Sequence, residues 1–143
     1  MKFWDSSALL PLVVSEGHSP FVQALAGADP DMMVWWTSQV ECASAVHRLR
    51  REEVLTPAAA ALVLARLTIA FDAANTVLPG EAVAAKAFRV LAAHALRAAD
   101  ALQLAAALVW ARDAPTGRDF VCLDDQLRTA AAVEGFRVLP EGL

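Results

Sequence analysis

Four acids, Asp5, Glu41, Asp100 and Asp124, recur along the chain where an apolar run ends or a helix begins. Asp5 follows Lys2-Phe3-Trp4, Glu41 falls in the first turn of the helix after residues 32–36, Asp100 opens a helix, and Asp124 follows Phe120-Val121-Cys122-Leu123. In an open α/β sheet the site lies beyond the carboxyl ends of the strands, so such residues gather on one edge. Four carboxylates gathered there repel one another unless cations sit between them, and hard divalent cations such as Mg2+ take all-oxygen ligands. Convergence therefore implies a metal.

Each acid also has a purely local explanation. Ser38-Gln39-Val40-Glu41 matches the S-x-x-E capping box, which would make Glu41 the partner of Ser38. Asp100 fits an N-cap whose charge complements the helix dipole. Of Asp124 and Asp125, one would cap the next helix and leave the other free. Asp5 is harder to explain this way, because an acid beside Trp4 at the end of a buried strand needs partners or a cation.

The elements that must position these acids are short and apolar. Strands are predicted over 2–4, 32–36, 75–78, 120–123 and 136–139. Helices are predicted after Asp5-Ser6-Ser7, whose hydroxyls suit N-capping, and from Ser38 to the basic end at Arg48, Arg50 and Arg51. Others run from Pro57, capped by Thr56, to about Phe71, then over 81–96, 100–110 and 125–133, the last stopped by Gly135. The alternation describes one α/β domain, residues 1–143, with a mostly parallel five-stranded sheet covered by helices on both faces. Trp35 and Trp36, pointing to opposite faces of their strand, would then both be core.

Composition removes several classes of function. The 143 residues are 57% hydrophobic, which excludes disorder, and two cysteines exclude a disulfide scaffold and fit a reducing compartment. Charge-free runs such as 54–65 stop at 12 residues, too few to span a bilayer. Residues 1–14 lack a cleavage site, so a mature cytoplasmic protein is expected. Twelve basic against sixteen acidic residues, a net charge of −4, argues against binding nucleic acid through a basic surface. His18, His47 and His94 show no ligand spacing, and Cys42 and Cys122 read as small buried hydrophobes. Neither a nucleophile elbow nor a glycine-rich phosphate loop is present. Arg48 and Arg51 could grip a phosphate backbone or complement a helix C-terminus, with Glu52 and Glu53 diluting the patch.

Taken in order, Asp5-Ser6-Ser7-Ala8-Leu9, Glu41 at a helix head, Ala99-Asp100-Ala101-Leu102-Gln103-Leu104-Ala105 and Phe120-Val121-Cys122-Leu123-Asp124 resemble the successive motifs of the PIN-domain family. More narrowly they resemble VapC-type toxin ribonucleases of bacterial and archaeal toxin–antitoxin pairs. The resemblance spans essentially the whole chain. It implies a PIN-like three-layer sandwich and an endoribonuclease whose Asp5, Glu41, Asp100 and Asp124 hold Mg2+ or Mn2+, with Ser7 supporting Asp5. Such ions neutralise a phosphodiester, activate water and stabilise the leaving oxygen, so no side-chain nucleophile is needed. The four acids equal the whole net charge, so metal loading would leave a surface attractive to RNA. A cognate antitoxin lying across the helix at 58–71 and a homodimer are further implications. The sequence departs from the family pattern at Cys122, where Thr or Ser is common, and at Gln103, where His is frequent. Two alternatives stand beside this reading: a catalytically silent PIN-fold module that binds RNA or protein, and a phosphatase using Asp5 as nucleophile. Against the second, Ser7 replaces the second acid of a D-x-D start, and the only lysines are Lys2 and Lys86.

Overall fold

A computed structural model describes residues 1–15 and 17–143. Its sheet contains β1 (Lys2–Trp4), β2 (Met32–Trp35), β3 (Asn75–Val77), β4 (Asp119–Val121) and β5 (Arg137–Leu139), ordered β3-β2-β1-β4-β5. All four pairings are parallel, so every strand points its carboxyl end at the same edge. Phe3 lies in register between Met33 and Phe120, and Trp4 between Val34 and Val121.

Period-two alternation divides the interior into two cores. Phe3, Trp35 and Phe120 pack with α5 (Glu81–Ala93), α6 (Ala98–Trp110) and α7 (Asp125–Glu134). Trp4, Val34 and Val121 pack on the other face with α1 (Ser6–Leu9), the 3-10 turn Leu10–Leu12, α2 (Ser19–Ala28), α3 (Ser38–Arg51) and α4 (Pro57–Ala73). The result is the α/β three-layer sandwich expected, its sheet wholly rather than mostly parallel. From β1 the chain proceeds to β2 and β3 on one side, then crosses back to β4 and β5 on the other. That reversal opens a crevice at the carboxyl ends of β1 and β4, where α/β sheets place their ligands.

Several local expectations need correcting. α2 has no counterpart in the sequence reading; it buries only Ser19 and Val22 and leaves Phe21 56% exposed, so it carries little apolar periodicity. Trp36 is not core. β2 ends at Trp35, the Trp36 N–H donates to Val77 O at 3.2 Å, and the indole is 56% exposed as the chain turns into α3. Asp5, rather than the Ser6 or Ser7 hydroxyl, caps α1 by accepting from Ser7 N. α6 begins at Ala98 with Arg97 as its N-cap, so Asp100 stands in the first turn instead of opening the helix. α5 stops at Ala93, and β3, β4 and β5 each differ from the predicted spans by one or two residues at their ends. Thr56 Oγ1 does accept from Ala59 N ahead of Pro57, and Gly135 ends α7 at φ +105°.

Candidate active site

Asp5 leaves β1 directly into the crevice and is only 3% exposed. Its Oδ2 accepts from Ser7 N at 3.0 Å, from the Ser7 hydroxyl, and from Cys122 Sγ at 3.6 Å. Ser7 Oγ also accepts from Leu123 N at 2.9 Å, which ties the start of α1 to the end of β4. Among the described residues Oδ1 has no protein partner, and it is not one of the buried unpartnered atoms, so it opens on the crevice. Burial raises the carboxyl pKa from 3.8 to about 6; the Ser7 hydrogen bonds oppose that rise, and the charge of Glu41 adds to it. The groups acting on Asp5 are thus neutral donors and another acid. No cation is among them.

Glu41, in the first turn of α3, is held by side chains from three elements. Oε1 accepts from Thr37 Oγ1 at 2.7 Å, and Oε2 accepts from Ser6 Oγ at 2.8 Å and Gln103 Nε2 at 3.1 Å. The capping box is absent: Thr37 is the N-cap of α3, while Ser38 is buried with its hydroxyl accepting from Gln103 Nε2 at 3.0 Å. Ser38 is already the first residue of the helix, one position past the place from which a hydroxyl caps.

Asp100 stands in the first turn of α6, where the backbone N–H of Arg97, the N-cap of that helix, favours its charged form. Its pKa is raised, first by burial and then by the charges of Asp124 and Glu41, with Arg97 opposing. Asp124 Oδ1 caps α7 by accepting from Leu127 N at 2.8 Å, leaving Oδ2 free of protein partners among the described residues. The cap and the candidate ligand are therefore the same residue, and Asp125 is the first residue of the helix proper. The charge of Glu41 acts on both Asp5 and Asp100, and that of Asp124 on Asp100, which links the four acids electrostatically.

The remaining sequence candidates lie elsewhere or differ in character. Arg48 and Arg51 are exposed in the last turn of α3, seven and ten residues beyond Glu41. At about 1.5 Å per residue that puts them roughly 10–15 Å along the helix from the acids. His18 and His47 are exposed, and His94 pairs with Glu134 at 2.8 Å. Cys42 and Cys122 are buried, but not among hydrocarbon alone: Cys122 touches Asp5 and Ser7, and Cys42 Sγ lies 3.7 Å from Ser6 O. Burial and the neighbouring acids push the Cys42 thiol up to about 12, so it stays protonated and inert. The supporting donors Ser6, Thr37, Ser38 and Gln103 were not singled out as site residues. Two spacings carried the signal: Thr37 precedes Glu41 by four residues, and Gln103 follows Asp100 by three on the same helix.

The donor set suits a hard cation. Asp5 and Asp124 each have one oxygen tied to a backbone N–H and one that is uncommitted among the described residues, and every candidate atom is a carboxylate oxygen. Among the described residues no three acid, histidine or cysteine side chains stand as a closed ligand group. Chemically, such an edge can hold an ion against a phosphate and orient water.

No protein-family model and no curated protein sequence matches the chain. Solved structures do. VapC20 of Mycobacterium tuberculosis, a sarcin-ricin loop cleaving toxin, aligns with TM-score 0.67 over 96% of this chain and 97% of that one, at 15% identity. FitAcB of Neisseria gonorrhoeae aligns with TM-score 0.68 over 96% and 97% of the two chains, at 17% identity. The fold is PIN-like. A toxin–antitoxin complex from Klebsiella pneumoniae shares this PIN-like fold with TM-score 0.60 over 87% of each chain, at 14% identity. In the PIN-like frame the crevice between β1 and β4 is the one that holds Asp5 and Asp124.

Proposed function

We propose that the chain is a Mg2+- or Mn2+-dependent endoribonuclease and the toxin half of a toxin–antitoxin pair. The observation that carries this reading is Asp5, a buried carboxyl with one oxygen open on the crevice, another acid beside it and no cation among its partners. Sequence order supports it too, because the motifs resembling VapC-type toxins supply all four acids of the cluster. The neighbours in fold include a sarcin-ricin loop cleaving toxin and a toxin–antitoxin complex.

In this mechanism Asp5 Oδ1, the free oxygens of Asp100 and Asp124, and Glu41 Oε1 would hold the metal. A bound divalent ion would supply neutralisation of the phosphodiester, an activated water and charge for the leaving oxygen. Ser7 fixes which Asp5 oxygen faces the crevice, and the Leu127 N–H does the same for Asp124. Without a cation among them the four acids would repel the phosphates of RNA. Ser6 and Thr37 hold Glu41 from α1 and the head of α3, keeping its carboxylate from swinging toward Asp5.

The antitoxin would lie over α4, whose Leu62 and Ile69 are 53% and 70% exposed while Ala60, Val63 and Leu67 pack inward. A homodimer in the bacterial or archaeal cytoplasm completes the proposal. No helix among the described residues is long and apolar enough to cross a membrane. One observation favours the rival, a silent PIN-fold binding module: the acids do not form a closed ligand group on their own. Incubating partner-free protein with total RNA and Mn2+, beside Asp5→Asn and an EDTA control, separates the two. Site-specific cuts that vanish in both controls support the nuclease; intact RNA together with no Mn2+ uptake would leave the silent module.

A further inference from the structure

Gln103 is wholly buried within α6, in a run from Ala101 to Leu108 in which every other side chain is alanine or leucine. A primary amide in such a place is costly to bury unless its polar atoms find partners. Its partners are specific. Nε2 donates to Ser38 Oγ at 3.0 Å and to Glu41 Oε2 at 3.1 Å, and Oε1 lies 3.4 Å from the same serine hydroxyl. The amide thus reaches from the helix that carries Asp100 to the helix that carries Glu41, through the layer that joins α6 to the head of α3.

The count of lone pairs gives this contact a consequence. Each carboxylate oxygen offers two acceptor sites. Oε2 of Glu41 receives Ser6 and Gln103 and is full, whereas Oε1 receives only Thr37 and keeps one site. Glu41 can then offer a cation or its water a single lone pair, on a known oxygen. Bidentate binding is closed to it while Gln103 is in place.

We propose that Gln103 is a positioning residue: by occupying Oε2 it restricts Glu41 to one-point contact with the metal through Oε1. The inference rests on the metal-dependent nuclease reading and concerns how that site is held. Residues that orient a metal's ligands typically change affinity by about 10–100-fold when removed.

Mn2+ binding to the full chain, read by electron paramagnetic resonance, tests this without any turnover. Gln103→Met keeps the volume and removes the donor, and Ser38→Ala removes the amide's other anchor with little change in packing. Gln103→Met is expected to weaken Mn2+ binding about tenfold. Ser38→Ala is expected to weaken it about threefold, and in a Glu41→Gln background neither change should weaken it further. Thermal melts in EDTA record any packing cost separately. Mn2+ affinity of Gln103→Met and Ser38→Ala within about twofold of the parent would overturn the proposal, as would an equal loss with and without Glu41. If the parent itself takes up no Mn2+, the nuclease reading fails and carries this inference with it. Uptake by the parent with no effect in either variant overturns the positioning role alone.

Discussion

Asp5→Asn should make the metal-free protein more stable, by an amount that the buried carboxyl sets. Burial lifts its pKa from 3.8 to about 6 against the opposing Ser7 bonds, with Glu41 adding a like charge. At about 1.36 kcal/mol per pKa unit, keeping this group ionised in the fold costs about 3 kcal/mol. The sign follows from linkage. A group with its folded pKa above its unfolded value contributes stability that is complete below about pH 4 and is lost as pH rises through about 6. Asparagine can keep an oxygen facing Ser7 N, Ser7 Oγ and Cys122 while its amide takes the open position of Oδ1. At pH 7.5 in EDTA the variant should therefore melt about 6–12 °C above the parent, and the gap should close below pH 4. With Mn2+ at a hundred times its dissociation constant the parent should recover about 2.7 kcal/mol, and the variant should not. Differential scanning calorimetry across pH, with and without metal, measures all of this. A variant no more stable than the parent at pH 7.5, or one with the same advantage at every pH, would refute the argument that Asp5 is an uncompensated buried charge.

Substitutions at three further positions separate scaffold from site. Asp124→Asn should keep the cap on Leu127 N and the melting temperature while abolishing RNA cleavage; Asp124→Ala should lose cleavage and also about 1 kcal/mol of stability, read by thermal melts. Arg128 donates to Cys122 O at 2.6 Å, Leu139 O at 3.2 Å and Pro140 O at 2.7 Å, so Arg128→Met should lower stability by about 2–4 kcal/mol in urea titrations, by freeing the ends of β4 and β5. Gly135→Ala should cost about 1–3 kcal/mol in the same titration, because φ is +105° and the new Cβ would stand 3.3 Å from Pro115 Cγ.

What was legible in the sequence depended on whether one local pattern answered to one physical cause. Short apolar runs bounded by turn residues have few solutions in an α/β layer, and all five strands lie within two residues of where they were expected. Thr56-Pro57 and Gly135 each fix a helix end through their own backbone chemistry, and both do so here. Patterns with two causes misled. Ser38-x-x-Glu41 reads as a capping box, yet the serine is drawn to Gln103, 65 residues away, and Thr37, in the N-cap position, gives its hydroxyl to Glu41 instead of capping. Trp36 reads as core on the second face of its strand, yet the strand stops one residue earlier and the indole is exposed. α2 left no trace, because a helix that buries one serine and one valine on its inner side has no stripe to detect.

The acids themselves show why capping and chemistry were poorly separable from sequence. Treating cap and ligand as rival explanations assumed that a carboxylate has one job, but its two oxygens divide the work. Asp5 caps α1 with Oδ2 and keeps Oδ1, and Asp124 caps α7 with Oδ1 and keeps Oδ2; Asp100, in the first turn of α6, has its charge favoured by the Arg97 N–H at the same helix end. Helix N-termini at the carboxyl edge of a parallel sheet bring aligned N–H groups to the one place where repelling acids must be held. Each cap locks the rotamer of the acid that makes it, so the free oxygens face the crevice without any element dedicated to orienting them. Glu41 is the exception, standing a turn too late to cap α3, and it is the acid that needs Ser6, Thr37 and a buried glutamine to hold it. The site's extra side-chain scaffolding is therefore concentrated where the backbone supplies none.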